Sequence, residues 1–122
     1  MTVPPNSADL LRGLELFNRA HFFDAHEALE DAWRALPRDL PPRRHLQGMV
    51  QLAVAFHHES TGNRTGARSV LDRALRNLHG AERSFPELDF DRLRAEMEVW
   101  QKHLAGVANR PRPPQIVRRA AP

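Results

Sequence analysis

Apolar residues recur every three to four positions in five separate stretches of this chain, and its prolines fall between those stretches rather than inside them. Such spacing commits the chain to amphipathic helices, since it lines up one apolar face per segment, and no strand-like alternation competes with it. At 122 residues there is length for one hydrophobic core but not two. The expected architecture is all-α: a compact bundle of about five helices, built as two antiparallel helical hairpins plus a closing C-terminal helix.

The first helix is predicted from about Ser7 to Arg19, capped by Asn6 or Ser7, with Leu10, Leu11, Leu14 and Phe17 recurring at helical spacing. A second runs from Phe22 to Leu36, with Phe22, Ala25, Leu29, Ala32, Trp33 and Leu36 on one face and Asp24, Glu27, Asp31 and Arg34 on the other. The proline-rich stretch from Pro37 to Pro42 predicts a loop. From Arg43 to Thr61 the sequence is apolar on most sides, through Leu46, Met49, Val50, Leu52, Ala53, Val54 and Phe56, which predicts a central buried helix. Gly62-Asn63 ends it, and a fourth helix carries Ala67, Val70, Leu71, Ala74, Leu75 and Leu78. Asp89 can cap a fifth, whose core stripe is Phe90, Leu93, Met97, Trp100, Leu104 and Val107. A shift of 42 positions superimposes Ala25, Leu29 and Ala32 on Ala67, Leu71 and Ala74, which is the repeat expected of two stacked hairpins.

Charge is unevenly placed. Four of the 18 basic residues (Arg110, Arg112, Arg118, Arg119) lie near the C-terminus, while all 15 acidic residues precede them. Residues 1–109 therefore read as a nearly neutral domain, and residues 110–122 as an Arg/Pro-rich flexible tail. Nucleic acid is an expected partner only through that tail and the basic face of the fourth helix. No stretch approaches the roughly 20 apolar residues of a membrane span, and no signal peptide is recognisable, so the expectation is a cytoplasmic protein without a membrane partner. The absence of cysteine removes disulfides, thiolate metal sites and cysteine nucleophiles.

Chemistry must then come from His, Glu, Asp or hydroxyl groups. On the second helix, His26 and Glu30 stand one turn apart at the border of the apolar face, beside Trp33. Glu27 turns toward solvent and does not act with its neighbour His26. On the third helix, His57 shares a side with Val50, Ala53 and Val54, while Gln47, Gln51 and His58 form a narrow polar stripe. If these two helices pack together, His26, Glu30, Gln51 and His57 can form a structural polar network. Alternatively His26, Glu30 and His57 can bind a divalent metal, the one cofactor this pattern suggests. Zincin, phosphate-loop, nucleophile-elbow and paired Glu-x-x-His signatures are absent. The outer face of the second helix is acidic, and that of the fourth is basic through Arg68, Arg73 and Arg76, which can support self-association; solvated surface is the plainer account.

The run Phe23-Asp24-Ala25-His26-Glu27-Ala28-Leu29-Glu30-Asp31-Ala32-Trp33 resembles a family known as the domain of unknown function 309. So do Leu46-Gln47-Gly48 with Gln51-Leu52-Ala53, and Gly62-Asn63 with Gly66-Ala67. The match runs in order from Leu14 to about Leu78, and Leu88-Asp89-Phe90 resembles the entry to the family's last helix. The resemblance implies a small helical bundle of bacteria and archaea with no established activity. It carries over His26, Glu27, Glu30, Gln47, Gln51 and His57 as motif residues, with Trp33 as their packing neighbour.

The leading expectation is a non-enzymatic binding or assembly module, with a protein partner or a homo-oligomer as the product. In it, His26→Ala should cost about 1 to 3 kcal/mol by orphaning a buried polar partner. The competing expectation is a metal-dependent hydrolytic or redox enzyme with Glu27 or His58 as base. Nothing in the sequence assigns a catalytic residue.

Overall fold

The computed structural model describes residues 7–120. Five helices follow one another: α1 (Ala8–Asn18), α2 (Phe22–Arg34), α3 (Pro41–Ser60), α4 (Arg64–Asn77) and α5 (Phe90–Leu104). The described residues form no strand; a single isolated bridge joins Leu88 to Arg118. None of the helices is long and apolar enough to cross a membrane.

Short connections make α1–α2 and α3–α4 two antiparallel hairpins, and α2 packs on α3 to join them, leaving α3 at the centre. Phe17, Phe22, Phe56 and Trp100 interlock where the hairpins meet α5: Phe17 and Phe22 are 5.3 Å apart, Phe22 and Phe56 5.5 Å, and Phe56 and Trp100 5.0 Å, centroid to centroid. Edge-on and tilted contacts at such distances set the positive rim of one ring against the negative face of the next. Closing helix α5 is tied to α4 by Gln101, which donates to Asp72 at 3.1 Å, and by Arg94, which donates to the Leu78 carbonyl at 2.9 Å.

Local chemistry explains most boundaries. Asn63 accepts from the Gly66 amide at 2.9 Å and Asp89 from the Arg92 amide at 3.0 Å, so each satisfies a backbone donor that its helix cannot. Gly62, at φ +83°, turns the chain between α3 and α4. Ser7 stands at the cap position of α1 without a side-chain bond, and Asn6 lies outside the described residues. Pro41 and Pro42 do not belong to a loop, as expected, but form the first turn of α3, where a missing amide hydrogen is no loss.

Two expectations about the C-terminal part need correction. Val107 is not core: α5 ends at Leu104, Gly106 at φ +84° turns the chain away, and Val107 is 74% exposed. The segment after Asn109 is irregular, as its prolines require, but as far as Arg119 it is held against the body rather than loose. Ile116 is buried, Asn18 bonds its backbone, Arg110 grips Glu59 at 2.9 and 3.2 Å, and the Asp89 amide donates to the Val117 carbonyl at 2.9 Å. Two buried side chains, Pro114 and Ile116, and a set of side-chain bonds to the backbone replace the helical hydrogen bonds that proline forbids.

Candidate functional site

The i,i+4 spacing on α2 does what helical geometry dictates: His26 Nε2 lies 2.9 Å from Glu30 Oε2, each side chain about 30% exposed. The other Glu30 oxygen accepts from Arg34 at 2.7 Å, so a His26–Glu30–Arg34 ladder climbs one edge of the helix. Beside it, the Arg43 guanidinium covers the Trp33 ring at 4.0 Å and donates to the Leu36 carbonyl at 2.9 Å, which clamps the end of α2 to the start of α3. The Trp33 Nε1 atom is buried with no hydrogen-bond partner among the described residues. Chemically the ladder orients one imidazole, whose Nε2–H donates to the carboxylate.

The other motif residues do not join this ladder. Gln51 turns away from α2 to the other helix of its own hairpin, accepting from Asn77 at 2.8 Å, and so links α3 to α4. Gln47 is exposed beside Arg43 and Arg44, and Glu27 faces solvent as expected. His58 is 3.3 Å from the Asn63 side chain. His57 packs against Phe23, whose ring lies 5.5 Å from His57 and 6.3 Å from His26. Among the described residues no three His, Asp or Glu side chains converge as a metal site, so His26, Glu30 and His57 are not the ligand set expected. The Phe23 ring packs beside both imidazoles. Of the polar cluster read from the sequence, His26 bonds Glu30, Gln51 bonds Asn77 on α4, and His57 meets the Phe23 ring.

A more deeply buried polar group went unnoticed. His45 is 2% exposed and sits one turn before Met49 on the buried stripe His45, Met49, Leu52, Phe56. Its Nδ1 is 2.5 Å from the hydroxyl of fully buried Ser84, and its Nε2 is 3.1 Å from the His79 carbonyl. With Nε2–H donating to that carbonyl, Ser84 donates to Nδ1; with Nε2 accepting from Arg44 at 3.3 Å, Nδ1–H donates to Ser84, and a neutral imidazole is satisfied on both sides either way. Burial foremost, and then the Arg44 charge, hold its pKa below the ordinary histidine value. The periodicity that placed Met49 and Leu52 in the core extends to His45, and that was the signal available.

The family described as Domain of unknown function (DUF309) matches residues 10–70, half of the chain, from α1 into α4. The chain belongs to this family. The matched span includes every motif residue named above on α2 and α3, whereas α5 and the C-terminal segment lie beyond it. Uncharacterized protein YpuF of Bacillus subtilis (strain 168) is 33% identical over 70 residues, which is 57% of this chain and 40% of that protein. An uncharacterized protein of Aquifex aeolicus (strain VF5) is 27% identical over 92 residues, 75% of this chain and 27% of that one. The chain therefore aligns with less than half the length of either relative.

Proposed function

We propose that this domain is an assembly module that pairs with a second copy of itself through the outer faces of α2 and α4. Charge complementarity carries the reading: Asp24, Glu27 and Asp31 are exposed on α2, while Arg64, Arg68, Arg73 and Arg76 are exposed on α4. Both helices flank α3, so a two-fold contact can set the acidic face of each copy on the basic face of the other. Each exposed ion pair is weak alone, yet matched patches steer encounter and fix register. Phe23, 55% exposed at the edge of the acidic face, adds the apolar contact that charges alone do not supply. An acid–base role for His26 and Glu30 has less support, because the pair stands on an open helix surface rather than in a water-excluding recess.

The test is sedimentation velocity over a range of concentration and salt. Wild type should associate at low salt, Asp24→Arg/Asp31→Arg and Arg68→Glu/Arg76→Glu should each stay monomeric, and an equimolar mixture of the two variants should associate again. A wild type that is monomeric throughout, or association indifferent to both double variants, overturns the proposal.

A further inference from the structure

A cleft of about 550 Å³ opens between the end of α1, one face of α5 and the segment 111–115, within the size range of small-molecule sites. None of the motif residues lines it. Its apolar side is Val99, 45% exposed, with Pro111 and Pro113. Three arginines, Arg19, Arg92 and Arg112, stand around it against one carboxylate, Glu96. That carboxylate is already engaged, accepting from the Gln115 backbone amide at 3.1 Å and lying 3.7 Å from Arg92. Arg19 pairs with Glu15 at 2.8 Å on open surface, a contact that solvent screens, and Arg112 pairs with no carboxylate among the described residues.

The walls are held independently of any occupant. Gln115 donates to the Asn18 carbonyl at 2.9 Å, Asn18 bonds the Ile116 backbone, and Arg110 anchors the start of the segment on Glu59. At the margin, Ala20 has φ +63°, the one non-glycine residue with positive φ among the described residues. That residue ends α1: the Ala20 amide donates to the Phe17 carbonyl and the His21 amide to the Leu16 carbonyl, each at 2.9 Å, which fixes the path of the chain at the edge of the cleft.

We propose that this cleft binds a small organic anion, in which a sulfonate, carboxylate or phosphate group meets the arginines and a flat apolar body lies against Val99 and the two prolines. Planar guanidinium groups bind oxyanions through paired N–H donors, and pre-set walls reduce the ordering cost of binding.

The full chain is titrated with 8-anilinonaphthalene-1-sulfonate, followed by fluorescence, beside its uncharged analogue N-phenyl-1-naphthylamine. The expected result is saturable one-to-one binding of the sulfonate that the uncharged analogue does not displace. Arg112→Glu should weaken binding about tenfold or more, with the circular dichroism spectrum unchanged, because it removes a charged hydrogen-bond donor and repels the anion. Val99→Trp, which fills the apolar side, should weaken it independently, whereas Leu40→Ala, exposed between α2 and α3 and outside the cleft's lining, should not. Lack of saturable binding, equal competition by the uncharged analogue, or affinity unaffected by Arg112→Glu would each overturn the proposal.

Discussion

Asn18 and Ile116 exchange two hydrogen bonds: Asn18 Nδ2 donates to the Ile116 carbonyl at 2.9 Å, and the Ile116 amide donates to Asn18 Oδ1 at 2.7 Å. A side-chain amide here does the work of a neighbouring strand, satisfying both backbone groups of a buried residue that has no helix or sheet to do so. It converts a proline-rich end of the chain into part of the body.

The consequence is that this segment contributes to stability. Ile116→Ala should cost about 2 kcal/mol or more through the cavity it leaves, and Asn18→Ala about 1 to 3 kcal/mol through two orphaned backbone groups. Urea denaturation measures both. A chain truncated after Asn109 that unfolded at the same urea concentration as the full chain would show the packing to be energetically empty.

His45 should make stability depend on pH. Its pKa is lowered in the folded protein, so just below the ordinary value of about 6.5 the unfolded chain takes up a proton that the native protein does not. Stability is therefore full above that value, falls as the pH drops from there toward the folded pKa, and levels off for this group below it. His45→Gln keeps an amide for hydrogen bonding but cannot titrate. Subtracting its unfolding free energy from that of wild type, pH by pH, should yield a difference that shrinks with acidification; a flat difference would assign the acid response to other groups.

Gly13 and Gly48 mark where helices meet backbone to side chain. A Cβ on Gly13 would lie 2.5 Å from Leu29 Cδ2, and one on Gly48 would lie 2.8 Å from Leu78 Cγ and 3.0 Å from the Ala74 carbonyl oxygen. Alanine ordinarily improves a helix by about 1 kcal/mol over glycine. Here overpacking should exceed that gain, so Gly13→Ala and Gly48→Ala should each lower the melting temperature, because Leu29 Cγ, 2.6 Å from the added atom, and the Ala74 oxygen cannot simply rotate aside. A raised melting temperature in either variant would contradict this.

For His26 the structure reverses the expectation drawn from the sequence. The His26–Glu30 pair is about 30% exposed and Glu30 keeps Arg34, so water and the arginine can replace the imidazole. His26→Ala should cost less than about 1 kcal/mol, clearly less than His45→Ala, whose loss orphans the buried Ser84 hydroxyl. Parallel denaturation of the two variants ranks them directly.

The site was legible in part. His26 with Glu30 follows from a four-residue spacing on one helix, and the structure shows that contact. The convergence of Gln51 and His57 upon it did not follow, because the rotation of α3 against its neighbours decides which helix each side chain meets. Gln51 went to α4 and His57 to Phe23.

The sequence by itself determined the five helices, the caps at Asn63 and Asp89, and most of the buried stripe, since these depend on residues within a few positions of one another. Only the tertiary structure decided the bond between His45 and Ser84, 39 residues apart, the bonds between Asn18 and Ile116, 98 apart, and the cleft beside them. Those contacts depend on how preformed helices rotate and dock, and on what the turn at Gly106 lets the chain's end reach. A helical period constrains which face is buried; it carries no information on which distant group lies opposite.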